Sequence, residues 1–152
     1  MVIARSSWDQ VWADVARAVS KRSACGRAQV GAVLVKDNRV ISTGYNGPAS
    51  NFPGDTDLGC QAWCLRSSLK PDQATGYGFS CPSIHAEANA ILYRQWGVKG
   101  MTLYVTHAPC AECAKLITAA EIERVIMLAM PEPHRPNPTE YLESCGVEVL
   151  IL

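Results

Sequence analysis

Residues 85–128 read HAEANAILYRQWGVKGMTLYVTHAPCAECAKLITAAEIERVIML. Two helical patterns alternate here with two short apolar runs. The spacing predicts a helix from about His85 to Trp96, a strand over Thr102–Thr106, a helix from Cys110 to Ala120 and a strand over Arg124–Leu128. Alternation of this kind requires an α/β fold, a sheet with crossover helices packed against it. The same stretch holds two compact groups of reactive side chains, His85-Ala86-Glu87 and Pro109-Cys110-Ala111-Glu112-Cys113.

Upstream, Trp8, Val11, Trp12, Val15 and Val19 recur at helical spacing, so a helix is predicted there. Ser7 can cap it, with Gln10 at the return position of a capping box. It stops near Lys21 to Ala24, with basic residues in its last turn. Trp8 and Trp12 could serve the core or an interface between subunits, and they are assigned to the core. Val30–Val35 and Val40–Tyr45 form a hairpin around the polar turn Lys36-Asp37-Asn38-Arg39. The segment 47–80 is rich in Pro, Gly, Ser and Asp, with a short helix expected from Cys60 to Leu69. A loop this long inside a compact domain is usually functional. Downstream, the Pro-rich connection 131–138 leads to a short helix ending near Gly146 and a last strand, Val147–Ile151. The chain reads as one domain, 1–152, with an irregular insertion at about 47–84.

Composition narrows the function. The chain has 152 residues, 48% hydrophobic and 18% charged, which excludes a disordered, collagen-like or coiled-coil protein. Lys+Arg and Asp+Glu are 14 each, so a grip on polymeric nucleic acid through phosphates alone is not expected. Charge is nevertheless uneven. Residues 1–50 carry seven basic side chains against Asp9, Asp14 and Asp37, which would suit a local anion site or simply a solvated face. Arg5, Asp9 and Asp14 interrupt any apolar export signal, and no run of about 18 apolar residues occurs. A cytoplasmic protein without membrane contact is expected. Seven cysteines cannot all pair within one chain, and clustered cysteines in a reducing compartment read as metal ligands.

The chemistry lies in the two groups. A C-x-x-C opening a helix puts both thiols on its first turn, where the helix end favours thiolate, the form that binds metal. Alone, the pair could also be a redox dithiol or inert. His85, Cys110 and Cys113 together make three nitrogen and sulfur ligands. Three protein ligands with one position left for water is a catalytic zinc pattern, whereas four would be structural. Glu87, two residues past His85, is placed to carry protons for a zinc-activated water. H-x-E followed by P-C-x-x-C is the joint motif of zinc nucleobase deaminases.

On these residues the chain resembles the cytidine deaminase superfamily, and within it the deoxycytidylate (dCMP) deaminase family. The likeness extends through Cys25-Gly26-Arg27-Ala28-Gln29-Val30-Gly31-Ala32-Val33, Ser42-Thr43-Gly44-Tyr45-Asn46-Gly47-Pro48 and Leu103-Tyr104-Val105-Thr106-His107-Ala108-Pro109-Cys110. The resemblance implies a three-layer α/β/α sandwich with a mixed five-stranded sheet. It implies hydrolytic deamination of dCMP to dUMP and ammonia, zinc-bound hydroxide attacking C4 of cytosine while Glu87 shuttles the proton. It further implies that backbone groups at Ala86 fix the ring, that Asn46 contacts the sugar, and that His107 and Arg27 lie near the nucleotide, Arg27 as a cation for the phosphate. Homo-oligomers, often hexamers, and regulation by dCTP and dTTP are properties of relatives.

Two departures from the family pattern stand out. Relatives hold a second, structural zinc through a Cys- and His-rich insertion. Here that insertion offers Cys60, Cys64 and Cys81 with no histidine, and Pro82-Ser83 replaces the usual Arg-Thr. The stretch 128–138 also lacks the family's tyrosine-bearing segment, which leaves open a 5-substituted dCMP or CMP as substrate. A tRNA adenosine deaminase shares the core motifs, but the neutral charge, the insertion and Ala108 stand against it. A zinc-stabilised module without activity would need a fourth protein ligand, such as Cys81 or His107.

Overall fold

The computed structural model describes residues 4–53, 57–68, 81–94, 99–129 and 137–152. The first helix, α1, spans Trp8–Ser20, and its N-terminus is capped by Ser7 Oγ, which accepts the Gln10 N–H at 3.2 Å. The Gln10 side chain does not close the box; its Nε2 donates to Asp14 instead, at 3.3 Å.

Strands β1 (Gly31–Lys36) and β2 (Arg39–Tyr45) form the expected hairpin. Asp37 and Asn38 sit at φ 49° and 53°, the two left-handed residues that a type I′ turn needs and that these side chains tolerate. Helix α2 (Ala86–Leu92) ends earlier than the apolar pattern indicated, and 95–98 lie outside the described residues. Strand β3 (Met101–Val105), helix α3 (Ala111–Ala119), strand β4 (Ile122–Met127), helix α4 (Pro138–Ser144) and strand β5 (Glu148–Ile151) follow. In the insertion, Gln61–Trp63 and Leu65–Ser68 are two short 3-10 turns rather than one helix. Most of the Pro-rich connection, 130–136, lies outside the described residues.

The strands form one mixed sheet in the order β2-β1-β3-β4-β5. β1 is antiparallel to both β2 and β3, whereas β3, β4 and β5 run parallel, as crossover helices demand. The period of two along each strand sorts the side chains onto two faces. Ala32, Leu34, Leu103, Val105, Val125 and Met127 face one way and pack with Ala86 and Ala90 of α2, Ile117 of α3 and Leu142 of α4. Val33, Val35, Tyr104 and Ile126 face the other way, against Ala16, Trp12, Val15 and Val19 of α1. The result is the three-layer sandwich, in which α1 is the one described helix on its side of the sheet.

The placement of Trp8 differs from the sequence expectation. It is about half exposed and stacks on Trp12, ring centroids 5.5 Å apart and 12° from parallel. Helical spacing alone could not separate the two rings, because residues four apart share one face of the helix. Among the described residues no helix is long and apolar enough to cross a membrane.

Candidate active site

Two helix starts converge on one point. His85 is the N-cap residue of α2 and Cys110 that of α3, both in extended backbone conformation and neither using its side chain to cap. The side chains at these positions are therefore free to face each other. His85 Nδ1 lies 3.4 Å from Cys110 Sγ and 3.4 Å from Cys113 Sγ. Zinc bonds of about 2.05 Å to nitrogen and 2.3 Å to sulfur, at a tetrahedral angle, would separate the donors by about 3.6 Å. The spacing thus fits a single zinc ion with His85 binding through Nδ1. Among the described residues, this trio is the one group of three or more His, Cys, Asp and Glu donors whose ligand atoms all lie within 4.8 Å of one another. Neither Cys81 nor His107 joins it, so among the described residues no fourth protein ligand completes the group.

The protonation pattern agrees with a cation site. A hydrogen bond from Cys113, together with His85, lowers the Cys110 thiol to about 3 despite its burial. The Cys113 thiol is pushed up, by the neighbouring Cys110 first and by burial and Glu87 after it. A divalent ion binds both sulfurs as thiolates, so its capture would release the proton held there. His85 is raised, chiefly by its hydrogen bond to Cys110.

Glu87 is 4% exposed, in the first turn of α2, and its carboxyl reaches the Cys113 thiol. Burial raises its pKa to about 6. A carboxyl tuned toward neutrality beside a metal cluster can both accept and return a proton.

Helix α2 is held on the sheet by close packing and by polar side chains that sequence reasoning missed. A Cβ on Gly44 of β2 would collide with the Ala86 carbonyl and come within 2.5 Å of the Ala90 nitrogen. Ser42 Oγ donates to the Ala90 carbonyl at 2.7 Å, and Asn89 Nδ2 to the Tyr45 carbonyl at 2.7 Å. The detectable signal was a polar residue at a position the strand pattern turns inward, Ser42, which is buried.

The remaining expected site residues spread around this centre. Ala86 is buried as the first residue of α2. Asn46 is buried, and its amide holds the chain before β1: Oδ1 accepts Val30 N–H at 2.8 Å and Nδ2 donates to Ala28 O at 2.9 Å. Arg27 reaches the insertion, its Nη1 donating to the Arg66 carbonyl at 2.6 Å. His107 is exposed at the end of β3. Cys60 has Cys81, Cys64 and Cys25 near it. Burial first, and then these thiols, raise the Cys60 pKa. All seven cysteines are free thiols, and among the described residues those of the insertion form no second donor group of the kind above.

Residues 6–129 match the family model described as the cytidine and deoxycytidylate deaminase zinc-binding region. The chain belongs to the cytidine and deoxycytidylate deaminase family. Within that family it is 41% identical over 128 residues to the deoxycytidylate deaminase of Mycobacterium phage D29, covering 82% of this chain and 96% of that one. It is 36% identical over 151 residues to ComE operon protein 2 of Bacillus subtilis, covering 95% and 71%. The solved dCMP deaminase of cyanophage S-TIM5, in complex with dCMP and dUMP, superposes with a TM-score of 0.75 at 26% identity, covering 99% and 100%. A structure from a study of tRNA:A34 deaminases superposes at 0.53 and 23% identity, a likeness of fold alone.

Proposed function

We propose that this protein is a zinc-dependent hydrolase that converts dCMP to dUMP and ammonia. The observation that carries the reading is the His85 Nδ1–Cys110–Cys113 trio, at zinc-donor spacing, with the buried Glu87 carboxyl beside it. The named relatives support dCMP as the substrate.

His85, Cys110 and Cys113 would hold the zinc. When bound, zinc supplies the Lewis acidity that makes a water ionisable near neutral pH. Glu87 would carry one proton of the water to cytosine N3, where it stays, and the second, from the hydroxyl added at C4, to the departing amine, so that water and cytosine become uracil and ammonia. The backbone at Ala86 fixes the ring, Asn46 contacts the sugar, and Arg27 and His107 serve the phosphate end. In this reading residues 1–152 act as one deaminase domain in the cytoplasm, as a homo-oligomer open to dCTP and dTTP regulation. Support for oligomerisation comes from Leu92 and Tyr93, which are strongly exposed at the end of α2. The exchange of a tRNA substrate for a nucleotide is supported by the zero net charge.

The test is ammonia release by purified protein from dCMP, CMP, 5-methyl-dCMP and deoxycytidine, with zinc stoichiometry measured alongside. One zinc per chain and a preference for dCMP are expected. Equal turnover of deoxycytidine would remove the phosphate-recognition part of the reading.

A further inference from the structure

Thr106, the residue after β3, makes two polar contacts that the reading above does not use. Its Oγ1 accepts the Gly31 N–H at 3.1 Å and lies 3.0 Å from His107 Nδ1. Its own N–H donates to the Gly31 carbonyl at 3.0 Å. Gly31 itself has no room to move. A Cβ there would collide with the Ala16 carbonyl and lie 2.6 Å from the Ser20 nitrogen, because α1 lies directly on it. The hydroxyl is thus anchored to the rigid sheet and helix.

Gly31 N–H can only donate, so one lone pair of Oγ1 is taken. Across the 3.0 Å contact the hydroxyl can donate its proton to His107 Nδ1 or accept from it through its second lone pair. A neutral imidazole that accepts at Nδ1 carries its proton on Nε2, the opposite edge of the ring. His107 is exposed, and it stands at the C-terminal rim of β3, three residues before the metal-group member Cys110. A base seated at the donor group would leave the charged end of the nucleotide toward solvent, where an exposed side chain such as His107 can meet it.

We propose that Thr106 is a positioning residue that fixes neutral His107 as the Nε2–H tautomer, aiming that N–H at the phosphate of the substrate. The inference rests on the nucleotide reading given above. An N–H held in one orientation binds a phosphate oxygen without the cost of choosing between tautomers.

The test combines spectroscopy and kinetics. Nitrogen-15 correlation spectra of the zinc-loaded protein in mildly alkaline buffer are expected to show the His107 proton on Nε2. In Thr106→Val they should show a mixture. Thr106→Val is expected to raise the KM for dCMP about tenfold, with kcat and the zinc content held, and Thr106→Ser to restore it. His107→Gln, which keeps an N–H near the ε position, should retain more dCMP selectivity over deoxycytidine than His107→Asn. A proton on Nδ1 in the wild type would overturn the proposal, and that measurement needs no variant to fold. So would an unchanged KM in Thr106→Val, or equal losses for dCMP and deoxycytidine. If the wild type releases no ammonia from dCMP, the proposed function fails instead, and the tautomer stands or falls on the spectra alone.

Discussion

Glu87 and Cys113 touch, yet they carry different predictions. Glu87→Gln keeps the volume and the polar contact but cannot cycle a proton. It should retain one zinc per chain, by metal analysis, and lose at least about 10² in the rate of ammonia release. Cys113→Ala removes a ligand from the interior of the group, and the metal analysis itself should then show loss of zinc. The two outcomes separate proton transfer from metal binding at neighbouring atoms. His85, Cys110 and Cys113 were legible in the sequence because each sits in a short motif at a helix start, where local spacing fixes the geometry. The nitrogen that faces the sulfurs was not legible, since Nδ1 and Nε2 differ only in space. Nor was the commitment of the Asn46 amide to Val30 and Ala28, contacts made 16 and 18 residues away in the chain.

Helices and strands were readable to the extent that their signals are local. Ser7 announced the start of α1, and the Asp37-Asn38 pair announced the hairpin turn, because each acts on its own neighbours. The end of α2 and the shape of the insertion were not readable, because tertiary contacts decide them. The contact of α2 with β2 is one such case. Gly44 has no side chain to separate the strand from the helix backbone, and the helix settles against it. Gly44→Ala should force the two apart. A destabilisation of about 1–3 kcal/mol is expected from denaturant unfolding, in the range seen for overpacked cores. A weaker hold on zinc should accompany it, measured by competition with a chelator, because α2 carries His85.

Across the whole molecule, one ionic contact ties the outer helix to the sheet. Asp9 of α1 accepts from Arg124 of β4 at 3.1 and 3.2 Å and from the Tyr104 hydroxyl of β3 at 2.7 Å. Burial pushes the Asp9 carboxyl up, but the hydroxyl and the guanidinium outweigh it and hold the pKa below its ordinary value. A carboxyl with a depressed folded-state pKa stabilises the fold above its unfolded pKa, near 3.9, and loses that contribution as the pH falls through the folded value. Asp9→Asn should therefore cost about 1 kcal/mol at neutral pH, a modest figure because the pair is partly solvated. The gap from the wild type should close below about pH 4 in thermal melts taken across the acid range. The three layers were implied by the family resemblance and the sheet with crossover helices by the alternating pattern, whereas this cross-layer contact spans 115 residues of chain and left no local mark.

The trio of His85, Cys110 and Cys113 is divided between two separate pieces of chain. The β3–α3–β4 unit brings two sulfurs, and the imidazole arrives only when α2 docks on the hairpin and meets α3. Until α2 docks, nothing holds His85 Nδ1 at zinc-donor distance from the two sulfurs. Tight capture therefore coincides with completion of the tertiary structure, and an unfinished chain is a poor competitor for scarce metal.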